Sequence, residues 1–438
     1  MAFNIRDRQI LHIAIPSIVS NITVPLLGLI DVAITGHIGD ATYIGCVSVG
    51  SMIFNVLYWL FAFLRMGTSG TTAQALGRRD LTGCLQQLQR ALLISLLLAA
   101  AILILQVPLL KLGLAIIAPE PQIKALVHTY YNICVWGAPA TLSLFAFNGW
   151  FLGMQNTRIP MAVSIMQNVV NILASLFFVF GLGMKIEGVA LGTLTAQWAG
   201  AIASAVFLLT NYGRMRKYLK WEGVFDTKEL RRFFSINRDI FIRTLFLVAV
   251  NLFFTSAGAR QGAVILAVNT IMLQIVLLYS YIMDGFAYAG EALAGRFYGA
   301  RNKGAFDDTI RQLFKWGILM AIAYTLLFLF AGRGLTQLLT TDKEVIECAN
   351  DYLLWLLIVP AAGMAAYIWD GVFIGITATK GMMISSVIAA LLFFALFFAF
   401  HSVWGNHALW LAMIAYLFTR GFVQSVIFAK KNMFFQQK

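Results

Sequence analysis

Charge is what this sequence has least of. Asp, Glu, Lys and Arg make up 12% of its 438 residues, about half the share of a soluble domain. So little charge cannot cover a water-facing surface, which excludes a soluble globular enzyme and a disordered chain. Cysteine is scarce as well. Cys46, Cys84, Cys134 and Cys348 lie far apart, with no CxxC and no His/Cys ligand spacing. That excludes a secreted disulfide scaffold, and the four read as ordinary buried apolar residues. Eight prolines argue against a long Pro-rich linker. Strands of alternating polarity are missing, so a transmembrane β-barrel is excluded. No cleavable signal peptide is visible, because the first apolar run follows Arg6 and Arg8 and has no small-residue cleavage site.

What is present is apolar sequence: 60% of the chain, with a mean hydropathy of +0.80. The fold class this predicts is an all-α polytopic membrane protein. A span needs roughly 20 apolar residues. Twelve such runs lie near 10–36, 42–66, 84–112, 124–154, 159–182, 187–211, 238–258, 262–294, 307–333, 347–376, 381–402 and 407–429. Several are long enough to require tilt or bending. Pro16 and Pro25 make the first run the best candidate for a kink, with Pro25 as its hinge.

The net charge of +13 follows the loops. Arg6 and Arg8, Arg78 and Arg79, Arg158, the 213–238 connection, Arg301 and Lys303, Lys380, and Lys430 with Lys431 fall on one set of segments. The alternate set holds mainly Lys185, Arg260 and Lys343. This bias places both termini in the cytoplasm. It accounts for the charge without nucleic acid as a partner. The connection RMRKYLKWEGVFDTKELRR, 214–232, is basic and partly amphipathic. An RNA-binding arm has that composition, but so does a segment lying on an anionic bilayer surface, which the membrane context favours.

The halves resemble each other at an offset of about 220 residues. Asn148-Gly-Trp-Phe-Leu-Gly153 is matched by Asp370-Gly-Val-Phe-Ile-Gly375, and Pro139 by Pro360. AQALGRRD, 73–80, is matched by AGRFYGARN, 294–302. Six spans per half enter from the same side, so the repeat is parallel, with a pseudo-twofold axis along the membrane normal. The domain reading is an N-lobe over 1–212, a basic connection over 213–236 and a C-lobe over 237–438. Duplication alone leaves such a trace. Two six-helix lobes are nevertheless a common transporter plan.

Ionisable groups within spans are costly and usually functional. Asp31, in PLLGLIDVAITGHIG, lies beyond Pro25. Desolvation penalises a charged carboxylate, so such a group can hold a proton near neutral pH and exchange it for a cation. It can also be a structural cap of a broken helix. Asp370, in the tenth span, has the neutral Asn148 as its repeat mate. Asp284 and Glu291 are seven apart, hence on one helix face. Glu291 near a cytoplasmic exit reads equally as a solvated or salt-bridged group. Asn168, Asn171 and Ser175 form a stripe that serves either a proton or sodium site or interhelical hydrogen bonding. Thirty-five Phe and 16 Met fit an apolar cleft for bulky lipophilic cations. Gly67-Thr-Ser69-Gly70 has the GxSG form of intramembrane serine proteases, but no matching His base accompanies it. There is no Walker A sequence, metal-ligand spacing or haem motif. An ion gradient or a partner then supplies the energy.

The chain resembles the multidrug and toxic compound extrusion (MATE) transporters, and within them the DNA-damage-inducible protein F (DinF) branch. The likeness covers nearly the whole chain. It rests on 20–39, FLRMGTSGTTAQALG (63–77), NRDIFIR (237–243), DGFAYAGEALAGRFYGAR (284–301), YIWDGVFIGITAT (367–379) and GNHALWLA (405–412). The resemblance implies twelve helices in two lobes and antiport of lipophilic or organic cations against H+ or Na+. No other cofactor is implied, and the protein is expected to be monomeric in a bacterial cytoplasmic (inner) membrane. Asp31 resembles the coupling carboxylate. Related members pair it with an Asn, an Asp one turn later and a Thr, here Asn171, Ser175 and Thr193. Ser in place of that Asp lowers the charge of any cation cage and favours protons. In another branch, acids of the tenth and seventh spans serve the second lobe. Asp370 resembles the former, but 240–258 holds no acid. A lipid-linked precursor flippase is the alternative, and few basic residues within the spans count against it.

Overall fold

The computed structural model describes residues 4–36, 41–340 and 342–430. Lys431 and His37 lie outside the described residues. Among the described residues every regular element is helical. The α-helices are α1 (Ile5–Gly36), α2 (Ala41–Leu60), α3 (Phe63–Gly77), α4 (Leu81–Ile104), α5 (Gln106–Ile117), α6 (Pro121–Cys134), α7 (Ala138–Gly153), α8 (Arg158–Leu176) and α9 (Ile186–Asn211). They continue as α10 (Thr227–Ala259), α11 (Ala263–Gly299), α12 (Lys303–Leu339), α13 (Lys343–Gly375), α14 (Thr379–Trp404) and α15 (Asn406–Lys430). Among the described residues ten helical stretches are long and apolar enough to cross a membrane, and each coincides with an expected span. The remaining two expected positions hold α1 and the α6–α7 run, which is broken only by the 3-10 turn Val135–Gly137. α1 is one continuous helix through both of its prolines.

Long apolar side chains remain on the outside of these helices. Ile104, Phe330 and Leu338 are 80%, 83% and 80% exposed. In water each such side chain forgoes about 1.5–3 kcal/mol of burial. Against lipid tails there is no such loss, so the exposure identifies the solvent.

The chain forms two compact units. One, here the N-unit, is Val19–Phe233. The other, the C-unit, is Met1–Ile18 with Phe234–Lys438. The N-unit has two apolar cores, one around Phe54, Val127 and Tyr131 and one around Leu88, Trp150 and Phe151. The C-unit core gathers Phe254, Val268, Met272, Leu356, Phe393 and Trp410. Within the C-unit, Asp7 is held by Trp316 Nε1 at 2.9 Å and by Lys315 Nζ at 3.3 Å. Arg6 reaches Asp308 at 3.3 Å. These bonds fix the first turns of α1 to α12.

The internal repeat extends to backbone detail. Arg79 closes α3 at φ +59° and Arg301 closes α11 at φ +54°. The following residues, Asp80 and Asn302, cap the next helices by accepting from Gly83 N at 2.8 Å and from Ala305 N at 3.0 Å. At the same sequence offset, Gln155 and Thr377 take φ of +63° and +55° after α7 and α13. The helix crossings repeat as well. A Cβ on Gly149 would lie 2.4 Å from the Arg65 carbonyl oxygen, and one on Gly371 would lie 2.0 Å from that of Ala287. Gly153 faces Ser69 O at 2.7 Å and Gly375 faces Glu291 O at 2.6 Å. The glycines of the NGWFLG and DGVFIG motifs therefore let α7 touch α3, and α13 touch α11, backbone to backbone.

This geometry separates two glycines of the C-unit. Gly371→Ala forces backbone apart and is expected to destabilise the protein by about 3 kcal/mol. Gly334→Ala, with nothing within 4 Å in the interior of α12, is expected to stabilise it by about 0.5–1 kcal/mol. Thermal unfolding midpoints of the detergent-solubilised variants measure both. A G371A midpoint equal to wild type would show that the crossing is not tight.

Candidate functional site

Asp31 stands on α1 and is 3% exposed. Its Oδ2 accepts a hydrogen bond from Thr193 Oγ1 of α9 at 3.3 Å. Thr193 in turn accepts from Asn171 Nδ2 of α8 at 3.3 Å. The single hydroxyl proton of Thr193 is shared with a second acceptor, Val189 O at 3.2 Å. Thr35, one turn beyond Asp31, donates back to the Asp31 carbonyl at 2.9 Å. Among the described residues the ion pairs do not include Asp31, and its hydrogen-bond partner Thr193 is neutral. Three buried oxygens here have no hydrogen-bond partner: Asp31 Oδ1, Asn171 Oδ1 and Ser175 Oγ. On α1, Gly28 faces open space one turn before Asp31.

Small residues of α9 create this proximity. Gly188, Gly192, Ala196 and Gly200 recur every four residues and so lie on one helix face. A Cβ on Gly192 would stand 2.0 Å from Ser175 Oγ, and one on Gly200 would stand 2.5 Å from Gln167 Cδ. The face lets α8 approach closely, in the small-xxx-small manner of membrane helices. Gln167 Nε2 donates to Ala196 O at 3.4 Å along the same seam.

The expected stripe of α8 divides. Asn171 and Ser175 are fully buried at the Asp31 site. Asn168 instead donates to the Thr23 carbonyl of α1 at 3.0 Å. Ser164, a turn earlier, bonds the Thr23 hydroxyl at 2.7 Å. Asn168 and Ser164 therefore hold α1 beside the hinge candidate Pro25, while Asn171 reaches the carboxylate through Thr193.

The C-unit acids have other surroundings. Asp370 Oδ2 accepts from Arg243 NH2 of α10 and from Arg420 NH2 of α15, the latter at 2.5 Å, and its Oδ1 accepts from Gln424 Nε2 at 2.6 Å. All four residues are buried. A carboxylate clamped by two guanidiniums repels further cations. The sequence motif alone, which reads Asp370 as a possible cation ligand, does not reveal that clamp. Asp284 and Glu291 both stand on α11; Glu291 is buried, and its backbone carbonyl meets Gly375. Ser69 of the GxSG motif is buried, with its hydroxyl donated to Met66 O at 2.9 Å within α3. Among the described residues, no group of three or more His, Cys, Asp or Glu is placed to hold a metal ion.

Sequence reasoning missed Thr23, Ser164 and Thr35 in the N-unit. Ser164 had a signal, lying one turn before Asn168 on the same face. It also missed Arg243, Arg420 and Gln424. The test applied to acids, an ionisable group inside an apolar run, marks both arginines.

The chain matches the family model MatE over residues 16–177 and 240–399, segments that fall on the two halves of the repeat. It is 36% identical over 431 residues to DNA damage-inducible protein F of Escherichia coli (strain K12), covering 97% of this chain and 92% of that one. It is 25% identical over 359 residues to the probable multidrug resistance protein NorM of Photorhabdus laumondii, covering 80% and 77%. Among solved structures, the fold is similar to a MATE crystal structure in a bent conformation, with a TM-score of 0.89 at 18% identity, covering 99% of this chain and 97% of that one. It is also similar to the Vibrio cholerae MATE transporter VcmN in the bent form, with a TM-score of 0.86 at 17% identity and 98% coverage of both. With a family model over most of its length and a relative this similar over nearly all of it, the chain belongs to the MatE family, the multidrug and toxic compound extrusion transporters.

Proposed function

We propose that this protein is an H+-coupled antiporter that exports lipophilic organic cations by alternating access. Its site is a bacterial cytoplasmic membrane, with both termini in the cytoplasm. The observation that carries this reading is Asp31, a buried carboxylate with neutral partners and one oxygen unpartnered. A proton and an organic cation compete for the same single negative charge, so binding of one releases the other. Relatives named as multidrug resistance and multidrug export proteins support the substrate class. The lysine and arginine asymmetry of the loops supports the orientation.

Thr193 gives the exchange a local mechanism. With Asp31 ionised, the Thr193 hydroxyl donates to Oδ2. When a proton arrives, the carboxyl becomes a donor, and the Thr193 proton turns to the Val189 carbonyl at 3.2 Å. The bond from Asn171 is kept in both states. Proton gain thus requires rotation of one hydroxyl and leaves no donor facing another donor. Loss of the charge frees the cation, and α1 rearranges about Pro25, where Asn168 and Ser164 meet its backbone and Thr23.

Na+ coupling is the second reading. The unpartnered Asp31 Oδ1, Asn171 Oδ1 and Ser175 Oγ favour it, since a hard cation takes oxygen ligands. A single carboxylate charge and the Ser at position 175 weigh towards the proton.

Purified protein in sealed vesicles separates these readings. A pH gradient alone is expected to drive efflux of a fluorescent organic cation. A Na+ gradient at equal pH is expected to drive it at under about a tenth of that rate, and the reverse ranking would establish sodium coupling. Asp31→Asn is expected to abolish gradient-driven efflux, and full efflux in D31N would refute the proposal. Thr193→Val is expected to slow transport about tenfold, the effect of losing roughly 1–2 kcal/mol of hydrogen bonding. Thr193→Ser, which keeps the hydroxyl, is expected to stay within about twofold of wild type.

A further inference from the structure

The ionic cluster of the C-unit does not balance. Arg243 and Arg420 both bond the same oxygen of Asp370. Among the described residues their ion pairs are with Asp370 alone. Asp239, one turn before Arg243, is engaged by Arg238 at 3.0 Å and by Thr379 at 3.2 Å. Within this hydrogen-bonded cluster two guanidiniums meet one carboxylate, a local excess of one positive charge, and an unmatched buried charge is heavily penalised. The donors are not used up. Arg243 Nε, Arg420 Nε and the Tyr416 hydroxyl are buried without partners. The Arg420 guanidinium lies over the Tyr416 ring at 5.4 Å. The side chains keep 10% (Arg243) and 5% (Arg420) of their exposure, so the pair is not sealed off.

We infer that Arg243 and Arg420 form a binding site for the anionic head group, phosphate or carboxylate, of an amphiphile. The chemistry of the donors selects that ligand. Guanidinium forks match the planar or tetrahedral oxygens of such groups in pairs, and charge-assisted bonds are the strong ones. One singly charged head group brings the cluster to neutrality, with Asp370 fixing both arginines at one oxygen. The apolar helices that carry them, each long enough to cross a bilayer, suit a ligand with an apolar tail. This site lies wholly in the C-unit, and the inference does not depend on which ion couples at Asp31.

Full-length protein in neutral maltoside micelles provides the test, with decyl phosphate as the probe and decyltrimethylammonium as the same tail with the opposite charge. Decyl phosphate is expected to raise the wild-type unfolding midpoint by about 3 °C or more at saturation. Arg243→Gln leaves a one-to-one Arg420–Asp370 pair. Its unliganded midpoint is expected to be no lower than wild type, its response to decyl phosphate absent and its response to decyltrimethylammonium unchanged. Asp370→Asn adds a second unmatched charge and is expected to tighten decyl phosphate binding about tenfold. No shift in wild type, a full shift in R243Q, or unchanged affinity in D370N would each overturn the assignment. Nanodiscs then distinguish the source of the head group. If phosphatidylglycerol in place of phosphatidylcholine raises the midpoint of wild type but not of R243Q, the head group belongs to a lipid. If only decyl phosphate does so, it belongs to a free amphiphile.

Discussion

A buried carboxylate met by neutral donors organises the N-unit. Among the described residues Asp31 forms no ion pair, and its charge is met by a threonine hydroxyl that an asparagine amide orients. Such a group is costly to keep inside a helical bundle. The cost is sustained by close packing. Gly192 and Gly200 of α9 bring α8 near enough for Asn171 and Ser175 to stand at the site. Ser164 and Asn168 hold α1 in register against α8. Replacing any small residue of that seam moves the donors before it touches the carboxylate.

The duplicated chain has specialised its halves in opposite senses. The scaffold is repeated down to left-handed backbone residues, helix caps and glycine crossings. The polar groups placed on it are not. Where the first half has the neutral Asn148, the second has Asp370, and there two arginines and a glutamine from α10 and α15 surround it. One unit thus presents a buried carboxylate with neutral hydrogen-bond partners. The other presents a carboxylate already neutralised and a surplus of positive charge. The same architecture thus carries opposite local electrostatics in its two halves.

The fold was largely legible in the sequence because lipid imposes strong constraints. Apolar run length finds helices, and the twelve expected runs all fall on helical elements. Turns were less legible. Arg79 and Arg301 look like loop charges, yet each also supplies a left-handed closing residue, which sequence composition does not mark. At the site, Asp31, Asn171 and Thr193 stand together, the grouping that the family resemblance implies. Asn168 does not join them, because a three-residue step turns the stripe of α8 by less than a full turn and carries its earlier members towards the Thr23 backbone. The arginine clamp on Asp370 was hidden for another reason. Its members lie on α10, α13 and α15, far apart in sequence, and no local pattern ties them.

The central claim is that proton and organic cation share the Asp31 carboxylate. It is tested most directly by counting protons released when an organic cation is added to the purified protein in weakly buffered detergent at neutral pH. The account predicts release of about one proton per cation bound, and none from D31N. Cation binding without proton release in wild type, or equal release from D31N, would contradict it.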